Sequence, residues 1–140
     1  QAPLLLNYGS SVPARLQFLE EQVHEYNFGA TGLRGARLLV ALLRVSAGRI
    51  HAGLSGHTWG AAGEIRFLWV DETRRRPGIG SRLLRAAEDE ASVRGCRKIV
   101  LSTHSFQAPG FYLKRGYVVA GEISDYPRGH RHIYLEKVLP

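Results

Sequence analysis

The stretch that decides the fold runs from Arg74 to Ala91 and reads RRRPGIGSRLLRAAEDEA. It follows FLWV (67–70), an apolar run that is typical of a buried strand. Apolar residues then recur at helical spacing, which predicts a helix from about Gly80 to Arg94, closed by Gly95. A strand, a basic turn with two glycines and a helix start therefore follow one another. This arrangement suits a polyanionic ligand such as a phosphate.

The rest of the chain predicts a helix that enters at Ser11 and Pro13, followed by strands and two further helices. The strand segments are ARLLVALLRV (36–45), whose composition also permits a helix, IHAGLSG (50–56), EIRFLWV (64–70), KIVLST (98–103), YVVAGEI (117–123) and HIYLEKV (132–138), with a short helix in GFYLKR (110–115). We expect one α/β domain over residues 1–140, in an α+β three-layer arrangement. Its mixed, mostly antiparallel sheet would have a central parallel strand pair flanked by helices.

Composition narrows the function classes. The formal net charge is +7, but Arg74–Arg76 is the only dense basic cluster, so nucleic-acid binding is weakly supported. No apolar run is long enough to span a bilayer, and no membrane partner is expected. The single cysteine, Cys96, indicates a buried thiol and a reducing, cytoplasmic setting. His130 and His132 lack a third ligand at a recognisable spacing, so no metal is expected.

The glycine turn fits neither common nucleotide-binding pattern. It lacks the Lys-Ser/Thr of a P-loop and the third glycine of a dinucleotide fingerprint. Arg75-x-x-Gly78-x-Gly80 instead resembles the acetyl-CoA pyrophosphate loop, R/Q-x-x-G-x-G/A, of the GNAT acetyltransferases. A second stretch, SFQAPGFYLKRGY (105–117), resembles the pattern N-x-x-A-x-x-F-Y-x-x-x-G-F/Y of that family, with Ser105 in place of Asn. With the tail GEISDYPRGHRHIYLEKVL (121–139), the chain resembles a small bacterial, single-domain member of the GNAT N-acetyltransferase superfamily.

The resemblance implies a GNAT-like acyl-CoA N-acyltransferase fold with acetyl-CoA as cosubstrate. Backbone groups of Leu68, Trp69 and Val70 would pair with the pantetheine arm. The implied phosphate and cofactor contacts are Arg75, Arg76, Gly78, Ile79, Gly80, Ser81, Ser105, Ala108, Phe111 and Lys114.

The resemblance also places Tyr112 at the position of the general acid that protonates the departing CoA thiolate. The base is open, because Arg66 occupies the position where many members have an acid, and arginine stays protonated at neutral pH. Glu64, two residues earlier on the same predicted strand face, and His104, at the end of the KIVLST strand, are the candidates. Water alone is the third option.

The expected reaction moves the acetyl group from acetyl-CoA to a primary amine of a small molecule. Asp125, Tyr126 and His130, with Glu21 and Glu25, are the expected acceptor region, and their acids would favour a cationic amine. A protein or peptide acetyltransferase and a non-catalytic acyl-CoA-binding regulatory module are alternatives. The sequence leaves the acceptor and the oligomeric state open, a homodimer included.

Overall fold

The computed structural model of the chain describes residues 12–44, 47–74 and 78–140, together with Leu4 and Leu6. In these described ranges, three helices and six strands occur in the predicted order. Their bounds are α1 Val12–Thr31, β1 Arg37–Arg44, β2 Ile50–Trp59, β3 Ala62–Val70, α2 Ile79–Val93, β4 Lys98–His104, α3 Pro109–Leu113, β5 Val118–Ser124 and β6 Arg131–Val138. A short 3₁₀ turn, Glu72–Arg74, follows β3. Within ARLLVALLRV, Arg37–Arg44 form a strand rather than a helix, and Val45 lies outside the described residues.

The chain divides into two compact units, Gln1–Gly35 and Ala36–Pro140. The first contains α1, whose end is fixed by Thr31. The Thr31 hydroxyl donates to the Asn27 carbonyl at 2.7 Å and accepts from the Leu33 amide at 3.1 Å. None of the helices in the described residues is long and apolar enough to cross a bilayer. That residues 1–140 form one domain stays a prediction.

The second unit contains a six-stranded sheet in the order β1-β2-β3-β4-β6-β5. Among the strand pairings of the described residues, β3 with β4 is parallel and the other four are antiparallel. This confirms the predicted mixed, mostly antiparallel sheet with a central parallel pair. Two parallel neighbours need a long crossover connection between them, and α2 provides that connection from β3 to β4.

The two faces of this sheet differ in what they carry. Leu84 and Ala91 of α2 are buried with Ile65, Ile99 and Leu101, so one face packs under the helix and forms the core. We call it the inner face. Because side chains alternate along a strand, residues one position away from these point to the opposite, outer face. Cys96 is buried at the edge of this core, as predicted, and burial raises the pKa of its thiol.

The parallel pairing of β3 and β4 is short. It begins with the pair Ala62 and Lys98 and ends with the pair Ile65 and Leu101. Beyond Ile65 and Leu101, no residue of β3 pairs with a residue of β4. An irregularity in the β2–β3 register lies at the same level, since Gly56 pairs with Ile65 but Ser55 pairs with Phe67. The extra residue is Arg66, so β3 bulges where it leaves β4. From Phe67 to Val70, β3 stays paired with β2 but has an open edge towards β4.

A buried carboxylate ties α2 to the far half of the sheet. Glu88 of α2 accepts a hydrogen bond from the Tyr117 hydroxyl at 2.8 Å, and Lys137 of β6 donates to both Glu88 oxygens at 3.1 and 3.2 Å. Glu88 is only 8% exposed, so its charge is stable there because it is paired. Burial, and then the hydrogen bond to Glu88, raise the pKa of Tyr117.

We predict that Tyr117→Phe lowers the free energy of unfolding by about 2 kcal/mol, because a buried hydrogen bond to a charged group is lost. Urea denaturation measures this directly. Tyr126→Phe is the matched control, since the Tyr126 side chain is half-exposed, and a change within about 0.5 kcal/mol is expected. Equal effects of the two variants would contradict a stabilising role for the Glu88 hydrogen bond.

Candidate active site

The divergence of β3 and β4 opens a cleft of about 990 Å³ in the second unit. Its volume is at the upper end of the usual range for small-molecule sites. The walls come from the separated halves of β3 and β4, the start of α2 and the region around α3. The lining residues are Ile65–Val70, Gly78, Gly80, Ser81, 101–103, 106–108, Phe111, Tyr112 and Arg115.

The N-terminus of α2 forms one end of the cleft. Gly78 precedes the helix with φ of 96°, a left-handed conformation that favours glycine, and no side chain caps the helix. The first backbone hydrogen bond of the helix is from the Arg82 amide to the Gly78 carbonyl. The amides of Ile79, Gly80 and Ser81 therefore have no acceptor among the described residues. Unpaired amides and the helix dipole together make this end attractive to an anion.

A close approach of α2 and α3 explains the second glycine of the turn. A Cβ atom at Gly80 would lie 3.2 Å from Cζ of Phe111, which is tighter than ordinary contact. Glycine here lets the first turn of α2 pack against the ring of Phe111 while its amide stays open to the cleft.

Tyr112 lies on α3, lines the cleft and contacts two other aromatic rings. Its ring meets the rings of Phe111 and Tyr117 edge-on, with centroid distances of 5.1 and 5.7 Å. Its backbone carbonyl accepts hydrogen bonds from the amides of Arg115 and Tyr117. Its hydroxyl has no hydrogen bond to any described residue. Burial raises the pKa of Tyr112, so its phenol keeps its proton at neutral and mildly alkaline pH.

Arg115 is a cleft residue that the sequence analysis missed. Its guanidinium lies 3.9 Å from the centre of the Phe111 ring, and Nη1 donates to the Phe111 carbonyl at 2.8 Å. Its Nε is buried and has no partner within the part of the chain that the structure describes. The spacing Phe111-x-x-x-Arg115 in the predicted helix GFYLKR could have indicated this contact, since residues four apart are neighbours on a helix. The expected cation, Lys114, does not line the cleft.

The other expected cofactor residues divide into three groups. Leu68, Trp69, Val70, Gly78, Gly80, Ser81, Ala108 and Phe111 all line the cleft. Ile79 and Ser105 do not line the cleft. Ile79 is the first residue of α2, and the Ser105 hydroxyl accepts a hydrogen bond from the Arg131 amide at 2.9 Å. Arg75 and Arg76 lie outside the described residues.

Neither candidate base lines the cleft. Glu64 lies on the outer face, where its closest ion-pair partner is His57 at 3.8 Å rather than Arg66. His104 ends β4, directly after the lining residues Ser102 and Thr103. Its Nδ1 lies 3.1 Å from the Tyr126 carbonyl. A carbonyl only accepts, so Nδ1 carries the hydrogen and the Nε2 of a neutral His104 is left as an acceptor.

The charges that line the cleft are positive. Arg66 and Arg115 contribute guanidinium groups, and there is no carboxylate among the described lining residues. The described residues also contain no group of three His, Cys, Asp or Glu side chains placed to hold a metal ion. The cleft is therefore suited to an anionic ligand.

Comparison with known proteins gives a consistent family. The model of the acetyltransferase (GNAT) family matches residues 13–117. A blasticidin-S acetyltransferase of Streptomyces morookaense is 43% identical over 66% of this chain and 68% of its own length. The crystal structure of a Bacillus cereus acetyltransferase is 33% identical with a TM-score of 0.80, covering 97% of this chain and 98% of that one. One from Agrobacterium tumefaciens is 28% identical with a TM-score of 0.87, covering 98% and 99%.

The match extends over the open edge of β3, the uncapped start of α2 and the ring of Tyr112, the three features that build the cleft. The chain belongs to the acetyltransferase (GNAT) family.

Proposed function

We propose that this protein transfers an acetyl group from acetyl-CoA to the primary amine of a small molecule. The observation that carries the proposal is that an uncapped helix N-terminus and an unpaired strand edge meet in one cleft. The first suits a pyrophosphate, and the second suits an extended amide-bearing arm that adds to the sheet as a strand does. Similarity to a blasticidin-S acetyltransferase supports a small-molecule acceptor.

Each part of the cleft then has a binding role. The amides of Ile79, Gly80 and Ser81 would donate to phosphate oxygens, and Arg115 would balance their charge. Backbone groups of Leu68–Val70 on the open edge of β3 would hold the pantetheine arm. Ala108 lines the cleft and is a further proposed contact. Arg75, Arg76, Ser105 and Lys114 stay proposed contacts on the family pattern alone.

Tyr112 is the proposed general acid. Acetyl-CoA supplies the acetyl group as a thioester, whose cleavage leaves a thiolate. The Tyr112 phenol stays protonated because burial raises its pKa, and its hydroxyl is not committed to another described residue. It would transfer its proton to the sulfur, while the C–S bond breaks and the C–N bond forms.

His104 is the proposed base, acting through water. Its hydrogen bond to the Tyr126 carbonyl leaves Nε2 free to take the proton that the amine loses. Glu64 is less suited, because its carboxylate lies beside His57 rather than along the cleft. The proton gained by His104 and the one lost by Tyr112 balance, and solvent resets both groups.

We predict that Ser81→Asp weakens CoA binding at least about tenfold while leaving the melting temperature unchanged or raised. An acid in the first turn stabilises the helix through its dipole but repels a phosphate at the same place. Isothermal titration calorimetry gives the affinity, and calorimetric melting gives the stability. Ser81→Asn is the uncharged control. Unchanged affinity in Ser81→Asp would contradict phosphate binding at α2.

We predict that Tyr112→Phe lowers kcat about a hundredfold and leaves KM for acetyl-CoA nearly unchanged. The ring and its contacts with Phe111 and Tyr117 are kept, so only the proton donor is lost. In the wild type, kcat should not fall through loss of this proton until the pH exceeds the ordinary tyrosine pKa of about 10. Full kcat for the variant across this pH range would show that Tyr112 acts only in packing.

We predict that His104→Gln lowers kcat/KM about a hundredfold, since the amide cannot accept the proton. Glu64→Gln, measured beside it with the same amine and acetyl-CoA by thiol release, separates the two candidate bases. A large loss in Glu64→Gln with full activity in His104→Gln would reverse the assignment. CoA binding without turnover of any amine in a broad library would instead favour the regulatory module.

A further inference from the structure

Six aromatic and imidazole rings form one continuous cluster at the end of β4. We call His104, Phe106, Tyr126, His130, His132 and Tyr134 the ring platform. Phe106, His104, His132 and Tyr134 follow one another with centroid distances of 5.3, 4.3 and 4.7 Å and small interplanar angles of 11°, 33° and 22°. Tyr126 meets His104 and His132 edge-on, and His130 meets Phe106 edge-on.

Strand register builds the row. His104 of β4 pairs directly with His132 of β6, and Ser102 pairs with Tyr134. These residues alternate with buried Leu101, Thr103 and Ile133, so their side chains lie on the outer face of the sheet.

The turn between β5 and β6 adds the remaining rings. The Tyr126 amide donates to the His130 carbonyl at 3.2 Å, and the Tyr126 carbonyl contacts His104. The Ser105 amide donates to the Arg131 carbonyl at 2.9 Å, which joins the same turn to the end of β4. The rings are thus held by backbone hydrogen bonds rather than by one another alone.

The platform presents ring surface to solvent beside the cleft. Phe106 is 55% exposed and Tyr126 is 53% exposed, and Phe106 also lines the cleft. An exposed group of this size that continues a ligand cleft is suited to binding part of the ligand. A molecule held there would lie next to Ser102 and Thr103, where the cleft opens between the strands.

The charges around the platform do not favour a polycation. Glu122 is paired with Arg131 at 2.7 Å, and the Asp125 carboxylate accepts from the Gly129 amide at 2.7 Å. Asp125 is one of the acids that were expected to bind a cationic acceptor. Its carboxylate is therefore already engaged within the turn. Phe106, Tyr126 and His130 present ring surface to solvent, and the exposed charge beside them in the turn is the cation of Arg128.

We propose that the ring platform binds the acceptor, and that this acceptor carries a planar aromatic or heteroaromatic ring close to its amine. Ring quadrupoles favour offset-stacked and edge-on partners over saturated groups of the same size. The inference rests on the proposed acetyl transfer, since it assigns the second substrate of the same cleft. The proposed acceptor class thereby narrows from primary amines in general to primary amines that carry a ring able to stack on the platform.

The test compares 2-phenylethylamine with 2-cyclohexylethylamine, which share the amine and the carbon count but differ in the π system. Nuclear magnetic resonance titration of the CoA-saturated protein gives both affinities, and the series is repeated without CoA. We expect the aromatic amine to bind about fivefold more tightly. Tyr126→Leu and Tyr134→Leu should bring the ratio close to one with unchanged CoA affinity. Trp59→Leu, which alters a ring outside the platform, should preserve the ratio.

Equal or undetectable binding of the two amines by the wild type would overturn the proposal, as would a ratio unchanged in both tyrosine variants. An aromatic preference in a protein that fails to turn over acetyl-CoA would support the platform and overturn the acetyl transfer. Turnover without any aromatic preference would overturn the platform alone.

Discussion

The cleft of the second unit depends on one constraint, the early end of the parallel pairing between β3 and β4. The two strands share hydrogen bonds only as far as Ile65 and Leu101. Beyond that level the bulge at Arg66 turns β3 away, and the backbone of one strand is left without a partner on that side. Unpaired strand edges can bind other extended chains, so the feature that interrupts the sheet leaves an edge suited to an extended ligand.

The other parts of the site depend on this opening. The helix α2 leaves β3 and begins beside the gap, so its uncapped N-terminus faces the same space as the strand edge. Phe111 packs against Gly80, and both Phe111 and the neighbouring Tyr112 line the cleft. Glu88, through Tyr117 and Lys137, fixes α2 relative to β6. The uncapped end of α2, the open edge of β3 and Tyr112 therefore all lie around one cleft of the second unit.

Much of this could be predicted from local patterns. Hydrophobic periodicity and glycine positions predict the order of elements, because each depends on residues close in the chain. The turn around Gly78 and Gly80 could be predicted on the same basis, whereas the pair Phe111 and Tyr112 was expected from the resemblance to the GNAT pattern. The bulge at Arg66 could not, since it depends on how β2 and β3 align across a hairpin. The stacking of Arg115 on Phe111 was also missed, although its spacing was present.

The ring platform shows the same limit more clearly. His104 and His132 are 28 positions apart and meet because β4 and β6 pair in one particular register. A shift of one residue would send His132 to the inner face. Tyr126 and His130 were expected near the acceptor, but their contact with the histidines depends on the same register. Sequence spacing therefore indicates which residues are candidates, and strand pairing decides which of them share a site.

A crystal structure of the complex with CoA tests the central claim most directly. The account predicts pantetheine hydrogen bonds to the backbone of β3 between Arg66 and Val70, and phosphate oxygens at the amides of Ile79–Ser81. A CoA molecule bound away from the gap between β3 and β4, or a complex in which these two strands close up and pair beyond Ile65 and Leu101, would contradict it.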